Sequence, residues 1–144
     1  MSSVNEEYPT HVFNLLGSAL TVAKRLMEAE ISGEQPQLRG SHLRLLSLTP
    51  PDGMRPTDLA ARVGMTKQSL GEFVAALQES GYLRVAVDPR DRRARIVSPT
   101  DKGLHLQQRI LEIFADTEER WRQAAGPRNW ATFLRVLSQL AAEK

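Results

Sequence analysis

The sequence predicts a mainly α-helical chain with one small β-hairpin, and three observations carry that prediction. Apolar residues recur three and four positions apart in six separate stretches, the spacing of a buried helix face. A single stretch, residues 83–98, switches to alternation with a period of two, the spacing of a strand pair. Glycine or proline marks the boundaries between these stretches, at Gly33, Pro36, Pro50-Pro51, Gly53, Gly64, Gly81 and Gly126-Pro127.

The chain of 144 residues has 41% apolar and 25% charged side chains, the make-up of one globular domain over residues 1–144 able to bury a core. No internal repeat or low-complexity tract divides it. The longest run without Asp, Glu, Lys or Arg, residues 8–23, is shorter than the roughly 20 residues of a bilayer span and contains Pro9, His11 and Asn14. No membrane span is predicted. The opening Met-Ser-Ser-Val-Asn-Glu-Glu lacks a basic start leading into an apolar core, so no secretory signal is read and a cytoplasmic protein is expected.

Taken in order, residues 1–8 are expected to fray. A long amphipathic helix over about residues 10–30 follows from Val12, Leu15, Leu16, Ala19, Ala23, Leu26 and Met27. Ser32-Gly33-Glu34-Gln35-Pro36 breaks it. A shorter helix places Leu38, His42, Leu45 and Leu46 on one face and ends in the turn Pro50-Pro51-Asp52-Gly53. On that apolar face His42 reads first as a packed histidine bonded to a backbone carbonyl, and second as part of a pocket wall.

The third helix opens at Pro56, whose fixed φ and missing N–H suit a first helical position, and continues through Leu59, Ala60 and Val63 to Gly64. Thr66 caps a fourth helix in which Leu70, Phe73, Val74 and Leu77 form one stripe, and Gly81 closes it. Ala60, Gly64 and Leu70 have the spacing of a helix-turn-helix: a small residue at the crossing, a turn residue free to take positive φ, and an apolar anchor. With the stripe inward, the 3.6-residue period turns Gln68, Glu72 and Ala75 outward, flanked by Lys67, Ser69 and Gly71.

Leu83, Val85 and Val87 then alternate, Asp88-Pro89-Arg90-Asp91-Arg92-Arg93 is expected to turn, and Ala94, Ile96 and Ser98 alternate back as the inward face. The other face of the return strand carries Arg93 and Arg95, and the tip adds Arg90 and Arg92. The pattern is therefore a winged helix-turn-helix. Thr100 caps a fifth helix through Leu104, Ile110, Leu111, Phe114 and Trp121. After Gly126 and Pro127 a last helix lines up Trp130, Phe133, Leu134, Leu137, Leu140 and Ala141.

Charge supports a DNA-reading head. Lys and Arg number 2 against 5 Asp and Glu in residues 1–34, 11 against 7 in residues 35–102, and 6 against 5 in residues 103–144. Positive charge is thus concentrated where the hairpin would meet phosphates or a minor groove. Gln68 and Ser69 are placed to read base edges, and Thr66 and Lys67 to position the helix on phosphates. Glu72 could accept a bond from cytosine. Arg90, Arg92, Arg93 and Arg95 complete the expected DNA contacts.

Catalytic and metal chemistries fail on spacing. Lys67-Gln68-Ser69-Leu70-Gly71 lacks the first glycine of a nucleophile elbow and no strand feeds it. His11, His42 and His105 fall on three different helices, and Arg109 stands where His105 would need a second ligand. Gly64, Gly71 and Gly81 do not make a phosphate loop. No enzyme, no metal and no cofactor is expected.

These residues resemble the MarR family of winged-helix transcription regulators, through Leu59-Ala60-Ala61-Arg62, Met65-Thr66-Lys67-Gln68-Ser69-Leu70, Gly81-Tyr82-Leu83, Asp88-Pro89-Arg90-Asp91-Arg92-Arg93 and Thr100-Asp101-Lys102-Gly103. The resemblance implies a homodimeric repressor that releases DNA when a small aromatic or amphipathic ligand binds. It gives a head over about residues 38–99 and dimerisation helices over about residues 9–31 and 100–143. Arg93 matches the family's minor-groove arginine, with Asp91 expected to orient it by a charge-assisted hydrogen bond. His11, His42 and Met65 are candidates for the ligand pocket. With no cysteine in the chain, a cysteine peroxide switch of the kind some relatives use is ruled out.

The apolar stripes of Val12, Leu15, Leu16 and Ala19, and of Trp130, Phe133, Leu134, Leu137 and Leu140, exceed what one small head can cover. They predict a two-fold dimer and hence a pseudo-palindromic DNA site. A second reading is a winged-helix module that no longer binds DNA and works through protein contacts, favoured by the anionic Glu72 and Glu79. Against it stand the five arginines between Arg84 and Arg95.

Overall fold

The computed structural model describes residues 11–31, 33 and 37–144. The expected frayed start, Thr10 in the first helix, and Ser32, Glu34, Gln35 and Pro36 of the expected break lie outside the described residues. Six helices and one hairpin follow in the order α1 (Val12–Ile31), α2 (Gly40–Leu48), α3 (Pro56–Val63), α4 (Lys67–Glu79), β1 (Leu83–Asp88), β2 (Asp91–Pro99), α5 (Asp101–Ala125) and α6 (Pro127–Ala141). Among the described residues, no helix is long and apolar enough to cross a membrane.

The short helix α2 sits at the centre, against α1, α3, α4 and α5. Its Leu43, Leu45 and Leu46 are completely buried, as are Leu59 of α3 and Leu77 of α4. Burying a leucine stabilises by about 1.5–3 kcal/mol, so this cluster outweighs any single surface contact. Pro56 starts α3, and Gly64 ends it in the left-handed region at φ 77°. Thr66 Oγ1 accepts the Ser69 N–H at 3.1 Å, capping α4 as its sequence requires. At the other end Gly81 takes φ 83°, its N–H bonds the Gln78 carbonyl and the Tyr82 N–H bonds the Leu77 carbonyl. This pair of bonds is a Schellman closure that turns the chain directly into β1.

In the antiparallel hairpin Leu83 lies opposite Pro99, Val85 opposite Val97 and Val87 opposite Arg95, with a bulge between Val87 and Asp88 that sets Asp88 opposite Asp91. Two sequence expectations are corrected here. The turn is only Pro89-Arg90, and Asp91, Arg92 and Arg93 already belong to β2. Ser98 is buried as expected, but so are Val97, 1% exposed, and Pro99, whereas Ala94 and Ile96 are only half-buried. The reason lies outside the hairpin: Met54 pairs with Val97 through two 2.9 Å backbone bonds, and the Gly53 turn closes over Ile96 and Ser98. The base of β2 is therefore covered at its edge as well as on its face, and burial there does not alternate.

Thr100 Oγ1 accepts the Gly103 N–H at 3.1 Å and starts α5 where expected. The face α5 buries is rotated from the expected one, keeping Ile110 and the half-buried Phe114. Gly103, Leu106, Ile110, Ile113 and Thr117 point inward, whereas Leu104 and Leu111 are exposed. Gly103 decides this rotation because its Cα lies against the Tyr82 carbonyl, too close for any side chain. In α1 only Met27 and Ile31 are buried, and Val12, Leu15 and Leu16 are exposed. Gly126 at φ 88° and Pro127 separate α5 from α6, whose Trp130 meets Trp121 edge-on.

Two glycines test this packing in opposite directions. Gly103→Ala should destabilise the protein by roughly 1–3 kcal/mol, because the added methyl meets the Tyr82 backbone. Gly71→Ala on the open face of α4 should stabilise it by about 0.5–1 kcal/mol, since nothing lies within 4 Å of the new methyl. Urea titrations of both variants measure the difference, and equal effects would contradict the assigned rotation of α5.

Candidate nucleic-acid interface

With Leu70, Val74 and Leu77 buried and Phe73 half-buried, α4 presents Lys67, Gln68, Gly71, Glu72 and Ala75 to solvent. Thr66 is exposed at the cap and Ser69 is half-buried behind it. The face expected to enter a groove is thus bare, and the free N-terminus of the helix leads it. Beside it, Arg90, Arg92, Arg93 and Arg95 of the wing are all exposed. Arg84 is exposed as well, and its Nε donates to Ser98 Oγ at 3.2 Å, which holds it along the hairpin.

The aspartates of the wing bond backbone. Asp91 Oδ1 accepts the Arg93 backbone N–H at 3.0 Å, so Asp91 shapes the chain that carries Arg93 and does not hold its guanidinium as the sequence led us to expect. Asp88 Oδ1 likewise accepts the Arg90 N–H at 2.9 Å. Arg55, the residue before Pro56, donates Nε at 3.2 Å and Nη2 at 2.9 Å to Asp88 Oδ2. Its Nη2 lies 3.9 Å from Asp91 Oδ2. The Arg90 N–H first, and then the Arg55 guanidinium, hold the Asp88 carboxyl below the usual carboxylate range. The bond to Asp88 in turn raises the Arg55 guanidinium above its ordinary value. Sequence reasoning missed Arg55. It stands 33 residues from Asp88, and no local pattern joins an N-cap to a hairpin tip.

The three pocket candidates occupy separate settings. His42 Nδ1 accepts the Arg39 backbone N–H at 3.0 Å, in place of the expected bond to a carbonyl, and the ring meets Phe73 of α4 edge-on at 4.7 Å. Burial first, and then the nearby Arg39, lower its pKa from the ordinary histidine value, which favours the neutral acceptor form. His11 is exposed just before α1, and Met65 is half-buried against the core below α4. A cleft of about 330 Å³ does open between α1 and α5. Its walls are Leu26 and Glu30 on one side and Arg109, Ile113, Asp116 and Arg120 on the other, without any of the three candidates. Among the described residues, no cluster of three His, Asp or Glu is placed to hold a metal ion.

A helix-turn-helix with a bare polar second helix, flanked by a hairpin carrying five arginines, defines a winged helix-turn-helix protein with a cationic face. Residues 38–94 match the MarR family by sequence. The regulator PetP of Rhodobacter capsulatus is 30% identical over 102 residues, covering 71% of this chain and 61% of PetP. The chain thus spans less than two thirds of that relative's length. Among solved structures, the repressor CouR bound to a 23-mer DNA duplex superimposes with a TM-score of 0.75 at 24% identity, over 91% of this chain and 92% of CouR. CouR of Rhodococcus jostii bound to p-coumaroyl-CoA gives a TM-score of 0.77 at 18% identity, over 94% of each chain. Over residues 38–94 the chain thus resembles the MarR family, and its fold is the one these structures share.

The His42 contact has a pH signature. Because the folded state resists protonating His42, the unfolded chain binds more protons below the ordinary histidine value of about 6.5, and stability falls as pH drops through it. Above that pH the contribution is complete. The melting temperature of the wild type should therefore fall more between about pH 7.5 and 5.5 than that of His42→Gln, which keeps an acceptor but does not titrate. Parallel melting curves would absolve His42.

Proposed function

We propose that this protein is a homodimeric, sequence-specific regulator that binds double-stranded DNA in the cytoplasm and represses transcription until a small aromatic or amphipathic ligand releases it. The observation that carries the reading is the pairing, on one head, of the exposed polar face of α4 with the exposed arginines of the wing. A helix of this width fits a major groove, and arginines beside it suit the adjacent minor groove and its phosphates. The match of residues 38–94 to the MarR family and the shared fold with DNA-bound CouR support it. CouR bound to p-coumaroyl-CoA supports the ligand-responsive part.

Within this reading Gln68 and Ser69 contact base edges, Thr66 and Lys67 contact phosphates, and Arg93 enters the minor groove. Glu72 accepts from a cytosine amino group if its base pair is G·C. A gel shift across a salt series tests the assignment. Arg93→Ala should weaken specific binding by about 1–3 kcal/mol. Lys67→Ala should weaken all sequences alike and lower the salt slope by roughly one unit. Absence of any salt-dependent shift on genomic fragments would favour the protein-interaction reading, and failure of every aromatic carboxylate tried to release DNA would remove the ligand response.

The dimer rests on apolar surface left bare on the single chain. Val12, Leu15, Leu16 and Leu20 of α1 and Phe133, Leu134, Val136 and Leu140 of α6 are exposed, with Ala19 beside them and Trp130 and Leu137 half-buried. A surface of that extent marks an interface. Sedimentation at micromolar concentration should give the mass of two chains, and Leu134→Arg should shift it toward one. A two-fold dimer also requires a footprint with dyad symmetry and half-site centres about 10 bp apart. A footprint without a dyad would count against it.

A further inference from the structure

At the tip of the wing, two aspartates use their oxygens in the same divided way. One oxygen of each closes a tight turn on the backbone N–H two residues ahead, Asp88 on Arg90 and Asp91 on Arg93. The other oxygen of each faces Arg55, at 2.9 Å from Asp88 and 3.9 Å from Asp91. Asp88 is 5% exposed although it sits at the end of a two-stranded hairpin, and the Arg55 guanidinium lies on its Oδ2. Arg55 comes from the start of α3, which packs against α4. One guanidinium therefore joins both turns that carry wing arginines to the helix-turn-helix.

We propose that Arg55 is a positioning residue that fixes the height and angle of the wing arginines Arg90 and Arg93 relative to α4, without itself touching DNA. This rests on the DNA-binding reading above. Away from the tip, among the described residues, the backbone of the hairpin is paired to the head at Met54–Val97, six residues along β2 from Asp91, with the Gly53 turn against Ile96 and Ser98 beside it. At about 3.3 Å per residue that tie lies roughly 20 Å from the tip. A two-stranded ribbon is marginally stable alone, so over such a distance its tip would swing and twist unless anchored. Arg55 supplies the anchor at the far end. It has no charge to spare for a phosphate, because one cation here faces two carboxylates.

The consequence is geometric. The distance between the groove read by α4 and the groove entered by Arg93 is set by the reach of one side chain. Loosening it spreads Arg93 over many positions and raises the entropy lost when it docks. Affinity falls although no DNA contact is removed.

The test uses the full-length protein in two arms. In the free protein, Arg55→Ala should speed hydrogen exchange at the Arg90 and Arg93 amides, and Asp88→Asn, which weakens the same ion pair, should speed exchange at Arg93. With DNA, Arg55→Ala should weaken binding about tenfold while leaving the salt slope unchanged. Arg93→Ala made in the Arg55→Ala background should then cost less than it does in the wild type. A salt slope lowered by about one unit, with additive losses, would make Arg55 a phosphate contact and overturn the proposal. Unchanged exchange at both amides in Arg55→Ala would overturn it equally. If the wild type binds no DNA, the DNA-binding reading fails, and the exchange arm alone still decides whether Arg55 holds the tip.

Discussion

Leu43, Leu45 and Leu46 are closed off from water because α1, α3, α4 and α5 all pack on the nine-residue α2, and the rest of the molecule depends on that enclosure. A helix so short does not persist in isolation; its tertiary packing sustains it. Both of its ends are finished by other helices. Glu28 of α1 accepts the Gly40 N–H at the start, and Gln107 of α5 donates to the Leu46 and Thr49 carbonyls at 2.7 and 2.8 Å at the end. The same helix touches the reading surface through the His42 ring on Phe73. Any shift of α1 against α5 is thus felt by α2 before it reaches α4.

A second junction makes the head rigid. The last turn of α4 closes on Tyr82, whose backbone carbonyl lies against Gly103 and accepts the Thr100 N–H at 3.0 Å. Lys102 Nζ donates to the Ser80 carbonyl at 2.8 Å and lies 4.3 Å from the centre of the Tyr82 ring. The end of α4, the root of the wing and the start of α5 therefore form one block, and a change in α5 has little freedom to bend it. In the proposed dimer, a ligand would act by favouring one spacing of two such blocks over another. A difference of about 1.4 kcal/mol between spacings alters DNA affinity tenfold.

What the sequence could tell divides along the range of the signals. Pro56, Gly64, Thr66 and Gly81 each act within one helical turn, so the boundaries of α3 and α4 and the outward face of α4 were readable. The alternation of Leu83 and Val85 announced a hairpin, but the burial of Val97 beside Ser98 depends on Met54, more than 40 residues earlier in the chain. The buried face of α5 depends on the contact of Gly103 with Tyr82, while Leu104 and Leu111 supplied an equally good helical stripe. Arg55 and Asp88 are joined only by the fold. The bond from Asp91 was expected at the right residue, but it goes to the Arg93 backbone, since a two-residue separation favours a turn over side-chain pairing.

The misread stripe on α5 bears on how the proposed dimer is built. At about 100° per residue, Val12, Phe13, Leu15, Leu16, Leu20 and Val22 spread over roughly half the circumference of α1, wider than the stripe of about 100° by which a helix packs on one surface. Phe13 is 82% exposed at one edge of this arc. One flat neighbour would cover part of it, so two elements must enclose it. The exposed Leu104 and Leu111 of α5 and the apolar face of α6 are surfaces of the required kind. A partner that wraps α1 in this way couples the spacing of the heads to α1, and α1 leads back through Glu28 to Gly40 and the core of α2. The surface that joins two chains and the surface proposed to read DNA are thereby two ends of one packed path.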